Sequence, residues 1–150
     1  MKNNKLKISL WIIISLVLEF IVGISLNTKV YNTLIKPPLS PPAIVFPIVW
    51  AILYILMAIS LIIVLNKEYN IKSIFLYFTQ LVVNLIWPII FFNFKLYYLS
   101  AIWIVLLIYL VILMIVNFYN IKKIAAYLQF PYFIWLIFAL YLNIGVALFN

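Results

Sequence analysis

The chain contains no cysteine, no histidine and no arginine, and only two acids, Glu19 and Glu68. Without cysteine there is no disulfide, no thiolate nucleophile and no thiolate metal site. Without histidine the commonest acid–base residue and the commonest metal ligand are both missing. Two carboxylates cannot form a cage, so neither a metal site nor a bound cofactor is expected. Glycine is also scarce. There are two, Gly23 and Gly145, so no Gly-xxx-Gly pair marks a helix–helix face. Charge is thin as well: 8% of the residues are charged, whereas a soluble domain carries about a quarter. What fills the chain is apolar, with 70% hydrophobic and 19% aromatic residues. Such a composition cannot cover a surface that faces water. It predicts an all-α integral membrane protein whose 150 residues form a single domain. The net charge of +8 comes from lysines dispersed in short clusters, which argues against a nucleic-acid partner and for a role in topology.

A spanning helix needs about 20 mostly apolar residues. Five segments qualify: Lys7–Leu26, Ala43–Leu65, Ile71–Phe92, Tyr98–Phe118 and Ile124–Phe149. Their connections are short, so neighbouring helices run antiparallel. The exception is the Pro-rich loop Asn27–Pro42. The basic, apolar N-terminus lacks a small-x-small cleavage site and carries Glu19, so it reads as a retained first helix. Lys2, Lys5, Lys7, Lys67, Lys72, Lys122 and Lys123 fall on one side of the membrane; Lys29, Lys36 and Lys95 fall on the other. This asymmetry predicts a cytoplasmic N-terminus, with the long loop outside.

Five of the seven prolines crowd into "KPPLSPPAIVFPIVWAILY", Lys36–Tyr54. Proline fixes its own φ and pushes its predecessor toward extended backbone. The stretch is therefore stiff and suits a helix start at Pro41–Pro42. Two readings stand: a rigid connector, or a lid over a pocket, since long loops in compact proteins are usually functional.

Within the spans, polar and aromatic residues share helical faces. Gln80, Asn84, Trp87 and Phe91 lie along one face of the third span. Phe46, Trp50 and Tyr54 do so in the second, and Trp135, Ala139 and Asn143 in the fifth, where small Ala139 leaves room between larger neighbours. Asn84, Asn143, Trp50, Trp87 and Trp135 converge in the half of the bundle beneath the Pro-rich loop. That is the lining expected of a site for a flat, apolar ligand with polar edges. The bland reading makes the amides glue between helices, worth about 1 kcal/mol each. Trp11 and Trp103 fit an interfacial belt. Glu19, the one acid inside a span, has two readings: snorkelling toward Lys29 or Lys36, or proton coupling in a small transporter. Pro88 and Pro131 are expected to disturb the third and fifth helices.

These residues resemble the TspO/MBR family of tryptophan-rich sensory proteins and translocator proteins (peripheral benzodiazepine receptors). The resemblance covers nearly the whole chain. It rests on Lys36-Pro37 with Pro41-Pro42, on Pro47, on Val49-Trp50 with Tyr54, on Asn84-x-x-Trp87 and on Phe91-Phe92. It closes on Pro131-Tyr132-x-x-Trp135 and Phe138-Ala139-x-x-Leu142-Asn143. It implies a five-helix, usually homodimeric bundle in a bacterial plasma membrane. It also implies a sensor or receptor that binds protoporphyrin IX and other hydrophobic molecules under the first loop, with transport as a further role. The implied binding residues are Tyr31, Pro41, Pro42, Phe46, Trp50, Tyr54, Asn84, Trp87, Phe91, Trp135, Ala139 and Asn143. The alternative it implies is a light- and oxygen-dependent porphyrin-degrading enzyme, with Trp50 and Trp135 as the catalytic residues. Departures are visible. Leu39 and Val30 stand where the family often has Trp, and Pro88 stands where Ser is common. The C-terminal cholesterol motif of animal members is missing.

Overall fold

The structure, a computed structural model, describes residues 2–25 and 28–150. The expected span end at Leu26, the loop start at Asn27, and Met1 lie outside the described residues. The elements are α1 (Lys2–Ser25), a 3-10 turn (Thr28–Thr33), α2 (Val45–Lys67) and α3 (Ile71–Pro88), which runs on into a π-helical turn (Ile89–Asn93). They continue with α4 (Tyr97–Ile121), α5 (Lys123–Tyr127) and α6 (Phe130–Phe149). The fold is all-α among the described residues. Five segments are long and apolar enough to cross a membrane: Lys5–Ile24, Val45–Lys67, Ile71–Asn93, Tyr97–Ile121 and Lys123–Phe149.

Two prolines shape the bundle. Pro88 has no N–H to offer the carbonyl one turn back, so regular α-helix cannot continue through it. The chain widens into the π turn, closed by Phe94 N–H donating to Ile89 O at 3.1 Å. Trp103 is engaged nearby, its indole donating to Val83 O at 2.8 Å; it serves helix packing as well as any interface. Pro131 likewise cannot donate to Tyr127 O. The fifth span, expected as one helix, is therefore two, α5 and α6, with a turn at Leu128–Gln129. Gln129 is fully buried there, and its side-chain amide has no partner among the described residues.

The core sits where α4 packs against α3 and α6, with α2 and α5 closing the far side. Met57, Leu61, Tyr77, Leu81, Val111, Met114 and Phe118 are fully buried in it. The outward faces are rows of exposed isoleucine, such as Ile48, Ile52, Ile55 and Ile59 of α2, which is the surface lipid requires. α1 leans mainly on α2 and α3 and is the least buried span.

The Pro-rich loop is fastened at both ends. Tyr31 donates to Pro41 O (2.7 Å), Ser40 to Pro37 O (2.7 Å) and Lys36 Nζ to Tyr31 O (3.2 Å). Burial lifts the Tyr31 phenol above its ordinary range, so it remains a donor at neutral pH. The loop is then latched to α6. Tyr141 donates to Pro38 O at 2.7 Å, and the Asn150 side chain accepts from Ile35 N (3.0 Å) while donating to Ile35 O (2.8 Å). Gly145 provides the bare backbone on which the Pro37 ring rests.

Candidate ligand-binding site

Beneath this loop lies a cavity of about 490 Å³. α2 contributes Phe46, Pro47, Trp50 and Tyr54, entered through Ala43 and Ile44; α3 contributes Asn84, Leu85, Trp87 and Pro88. Phe92 of the π turn and Tyr31 of the loop close two more sides. The last wall is α1, with Glu19, Val22 and Gly23.

The aromatic rings are braced against one another. Trp50 stacks on Tyr54, with ring centroids 5.5 Å apart and planes at 29°, and meets the edge of Tyr132 at 6.1 Å. Phe46 packs edge-on to Tyr31 at 5.0 Å. Trp87 is tied behind the wall, its indole donating to Asn143 Oδ1 at 2.9 Å. With that N–H used, Trp87 offers the cavity an apolar ring.

Asn84 is the amide that meets the cavity, and it is held from two sides. Tyr54 donates to its Oδ1 (2.9 Å), and its Nδ2 donates to Tyr132 (2.7 Å), which in turn donates to Gln80 Oε1 (2.9 Å). A side-chain amide has two acceptor sites and two donor hydrogens. One of each is committed here, which fixes the orientation of the amide in the cavity wall. The helical spacing of Gln80, Asn84 and Trp87 thus gives an oriented polar row rather than a simple apolar stripe.

Six of the twelve sequence-derived binding residues line the cavity together: Tyr31, Phe46, Trp50, Tyr54, Asn84 and Trp87. The others stand behind them. Pro41 and Pro42 act through their carbonyls, which accept from Tyr31 and from Val45 N. Phe91 packs on Trp87 at 5.6 Å and on Tyr97 at 5.1 Å. Asn143 is committed, accepting from Trp87 and donating to Tyr97 O at 2.8 Å, so it joins three helices. Trp135 lies edge-on to Phe46 at 6.0 Å, and its buried indole N–H has no partner among the described residues. Ala139 is packed in a buried cluster with Trp87, Phe91, Ile104 and Val146. Ala139→Phe is therefore expected to overpack this cluster, at a cost of about 1–3 kcal/mol seen in thermal unfolding.

Glu19 does not reach for Lys29 or Lys36. It is 7% exposed and accepts from Ser15 Oγ at 2.9 Å. The contribution of α1 was the least visible in the sequence. Its one signal was the intramembrane acid with a valine and a glycine three and four residues on, a spacing that puts all three on one helical face.

A sequence model of the TspO/MBR family matches residues 11–148. The chain belongs to the TspO/MBR family. Tryptophan-rich protein TspO of Chlorobaculum tepidum is 37% identical over 125 residues, covering 80% of this chain and 78% of that protein. Tryptophan-rich protein TspO of Bacillus cereus is 32% identical over 116 residues, or 75% of each. Protein CrtK of Rhodobacter capsulatus is 32% identical over 120 residues, covering 77% of this chain and 75% of that protein. Membership in this family fits a membrane sensor or receptor.

Proposed function

We propose that this membrane protein is a single-domain receptor for protoporphyrin IX and similar flat, apolar molecules, held in the cavity beneath the Pro-rich loop. The observation that carries this reading is the combination of stacked aromatic walls with one amide, Asn84, pinned by two phenols. Ring faces and burial supply most of the affinity, and Asn84 fixes the orientation. Lys36, held 4.7 Å over the ring of the cavity residue Tyr31, is placed to meet a carboxylate at the mouth. A relative named tryptophan-rich sensory protein, from Cereibacter sphaeroides, supports a sensing role.

Nothing in the cavity is suited to binding iron. Histidine and cysteine are absent from the chain, and Met57 and Met114 are buried in the core away from the cavity. Tyr54 and Tyr132 are engaged as donors to amides. Haem proteins normally supply an axial ligand. Metal-free protoporphyrin is therefore expected to bind at least as tightly as haem in a dark absorbance titration. A haem spectrum with strong axial ligation would overturn this.

The second reading is photochemical, and the position of Trp50 favours it. Its indole lines the cavity, whereas Trp135 stands behind Phe46. Excited porphyrin would take one electron from Trp50, and dioxygen would supply the oxygen atoms of the product. Trp50→Phe should then lower the photoproduct yield more than Trp135→Phe, with dark binding retained in both. Equal yields from all three proteins would remove this reading.

The proposal includes a cytoplasmic N-terminus in a bacterial plasma membrane and a homodimer. Because the chain has no native cysteine, single introduced cysteines can report orientation. Lys95→Cys should label from outside the cell and Lys67→Cys should not.

A further inference from the structure

One acidic side chain, Glu19, lines the cavity, and it lies among rings. We propose that the cavity accepts a planar aromatic cation and that Glu19 is the residue selecting for its positive charge. This inference rests on the reading of the cavity as a ligand site.

Glu19 lies six residues before the end of α1, about 9 Å along the axis. Glu19 lines the cavity, and its carboxyl is oriented rather than loose. Ser15 Oγ donates to it at 2.9 Å, and the same hydroxyl meets Tyr77 OH at 2.9 Å. Since the serine proton goes to Glu19, the tyrosine must donate to the serine. The two hydroxyls form a directed chain ending on the carboxyl, reaching from α3 to α1. Among the described residues Glu19 makes no ion pair, and every other side chain lining the cavity is uncharged.

A carboxylate among apolar walls is costly unless a counter-charge reaches it. The protein does not supply one here, so a guest can. The faces of Trp50, Trp87, Phe46 and Tyr54 add to the same preference, because aromatic rings attract cations through their quadrupoles. An acid set in an aromatic box suits a flat heteroaromatic ring with a positive nitrogen. It works against a ligand whose anionic group would be forced to the inner wall. The charges are sorted, with Lys36 beside the mouth and Glu19 within.

The test is tryptophan-quenching titration of the full chain in detergent micelles. Three probes are used: N-methylacridinium, a permanent cation; 9-methylanthracene, its neutral counterpart in shape; and protoporphyrin IX. Each is measured on the wild type and on Glu19→Gln, and the ratio of the two Kd values cancels partition into the micelle. Glutamine can still accept from Ser15, so the fold is kept. Glu19→Gln should weaken N-methylacridinium at least tenfold more than it weakens 9-methylanthracene or protoporphyrin IX, a tenfold change being about 1.4 kcal/mol. Glu19→Asp, which keeps the charge, should retain part of the cation preference. Unchanged cation affinity in Glu19→Gln, or an equal loss for all three probes, would overturn the inference. If protoporphyrin IX binds and the cation shows no dependence on Glu19, only this inference falls. If no probe binds the wild type, the reading of the cavity falls with it.

Discussion

Gly145→Leu should release the loop. A side chain at this position would run into the Pro37 ring, which is held in place by its own fixed φ and by its neighbours. The loop cannot yield locally. Ser40 bonds back to Pro37 O, Tyr141 holds Pro38 O, and Asn150 holds both backbone groups of Ile35. Either α6 shifts or the whole latch opens, and overpacking of this kind costs about 1–3 kcal/mol. Spent on the lid, that corresponds to roughly a 5- to 150-fold faster ligand release. Stopped-flow dissociation of protoporphyrin IX measures it. Entry should change much less, because a preformed lid lowers the ordering cost of the bound state. An off-rate equal to wild type in a folded Gly145→Leu protein would mean that the loop is only a connector.

The second large effect is expected at Asn84. Asn84→Leu keeps the volume but removes the acceptor for Tyr54 and the donor to Tyr132. Tyr132 still has Gln80 Oε1. Tyr54 donates to no other acceptor among the described residues, and an unmet buried donor costs about 1–3 kcal/mol. The tyrosine that supports the Trp50 ring by stacking would thus lose its anchor. Both stability and binding should fall: the unfolding midpoint drops by several degrees, and protoporphyrin affinity drops at least tenfold. Tyr54→Phe, which removes the donor and spares the amide, should recover most of the stability. If Asn84→Leu unfolds at the wild-type temperature, the Tyr54–Asn84–Tyr132 row does not hold the site together.

The spans were legible because a membrane demands long apolar helices, and little else in so short a chain competes with that signal. The face carrying Gln80, Asn84 and Trp87 was legible too, since helical spacing alone puts those residues in line. Spacing does not say what a polar group is bonded to. Asn84 and Asn143 read alike in the sequence, and each accepts one hydrogen bond and donates one, yet Asn84 lines the cavity whereas Asn143 ties Trp87 to Tyr97. The same blindness applied to Trp135, which shares a face with Ala139 but packs on the cavity residue Phe46. The latch was invisible for another reason. Asn150 and Ile35 are 115 residues apart, and no local pattern announces that pairing. The wall from α1 was missed because Gly23 carries no chemistry of its own; its value is the space it leaves.

That space gives the most direct test. Among the described residues, a Cβ added at Gly23 meets no atom within 4 Å, and Gly23 lines the cavity. Gly23→Phe should therefore fill the cavity without disturbing the bundle, and replacing glycine inside a helix is itself mildly favourable. Helical side chains lean toward the preceding turn, which carries the new ring over Glu19 and into the space facing Trp50. The measurement is a dark protoporphyrin IX titration of wild type, Gly23→Ala and Gly23→Phe, each with its thermal unfolding curve. The expected result is affinity near wild type for the alanine and at least a tenfold loss for the phenylalanine, with unfolding temperatures equal to or above wild type. Full affinity in a stable Gly23→Phe protein would contradict the account, because the ligand would then bind somewhere other than this cavity.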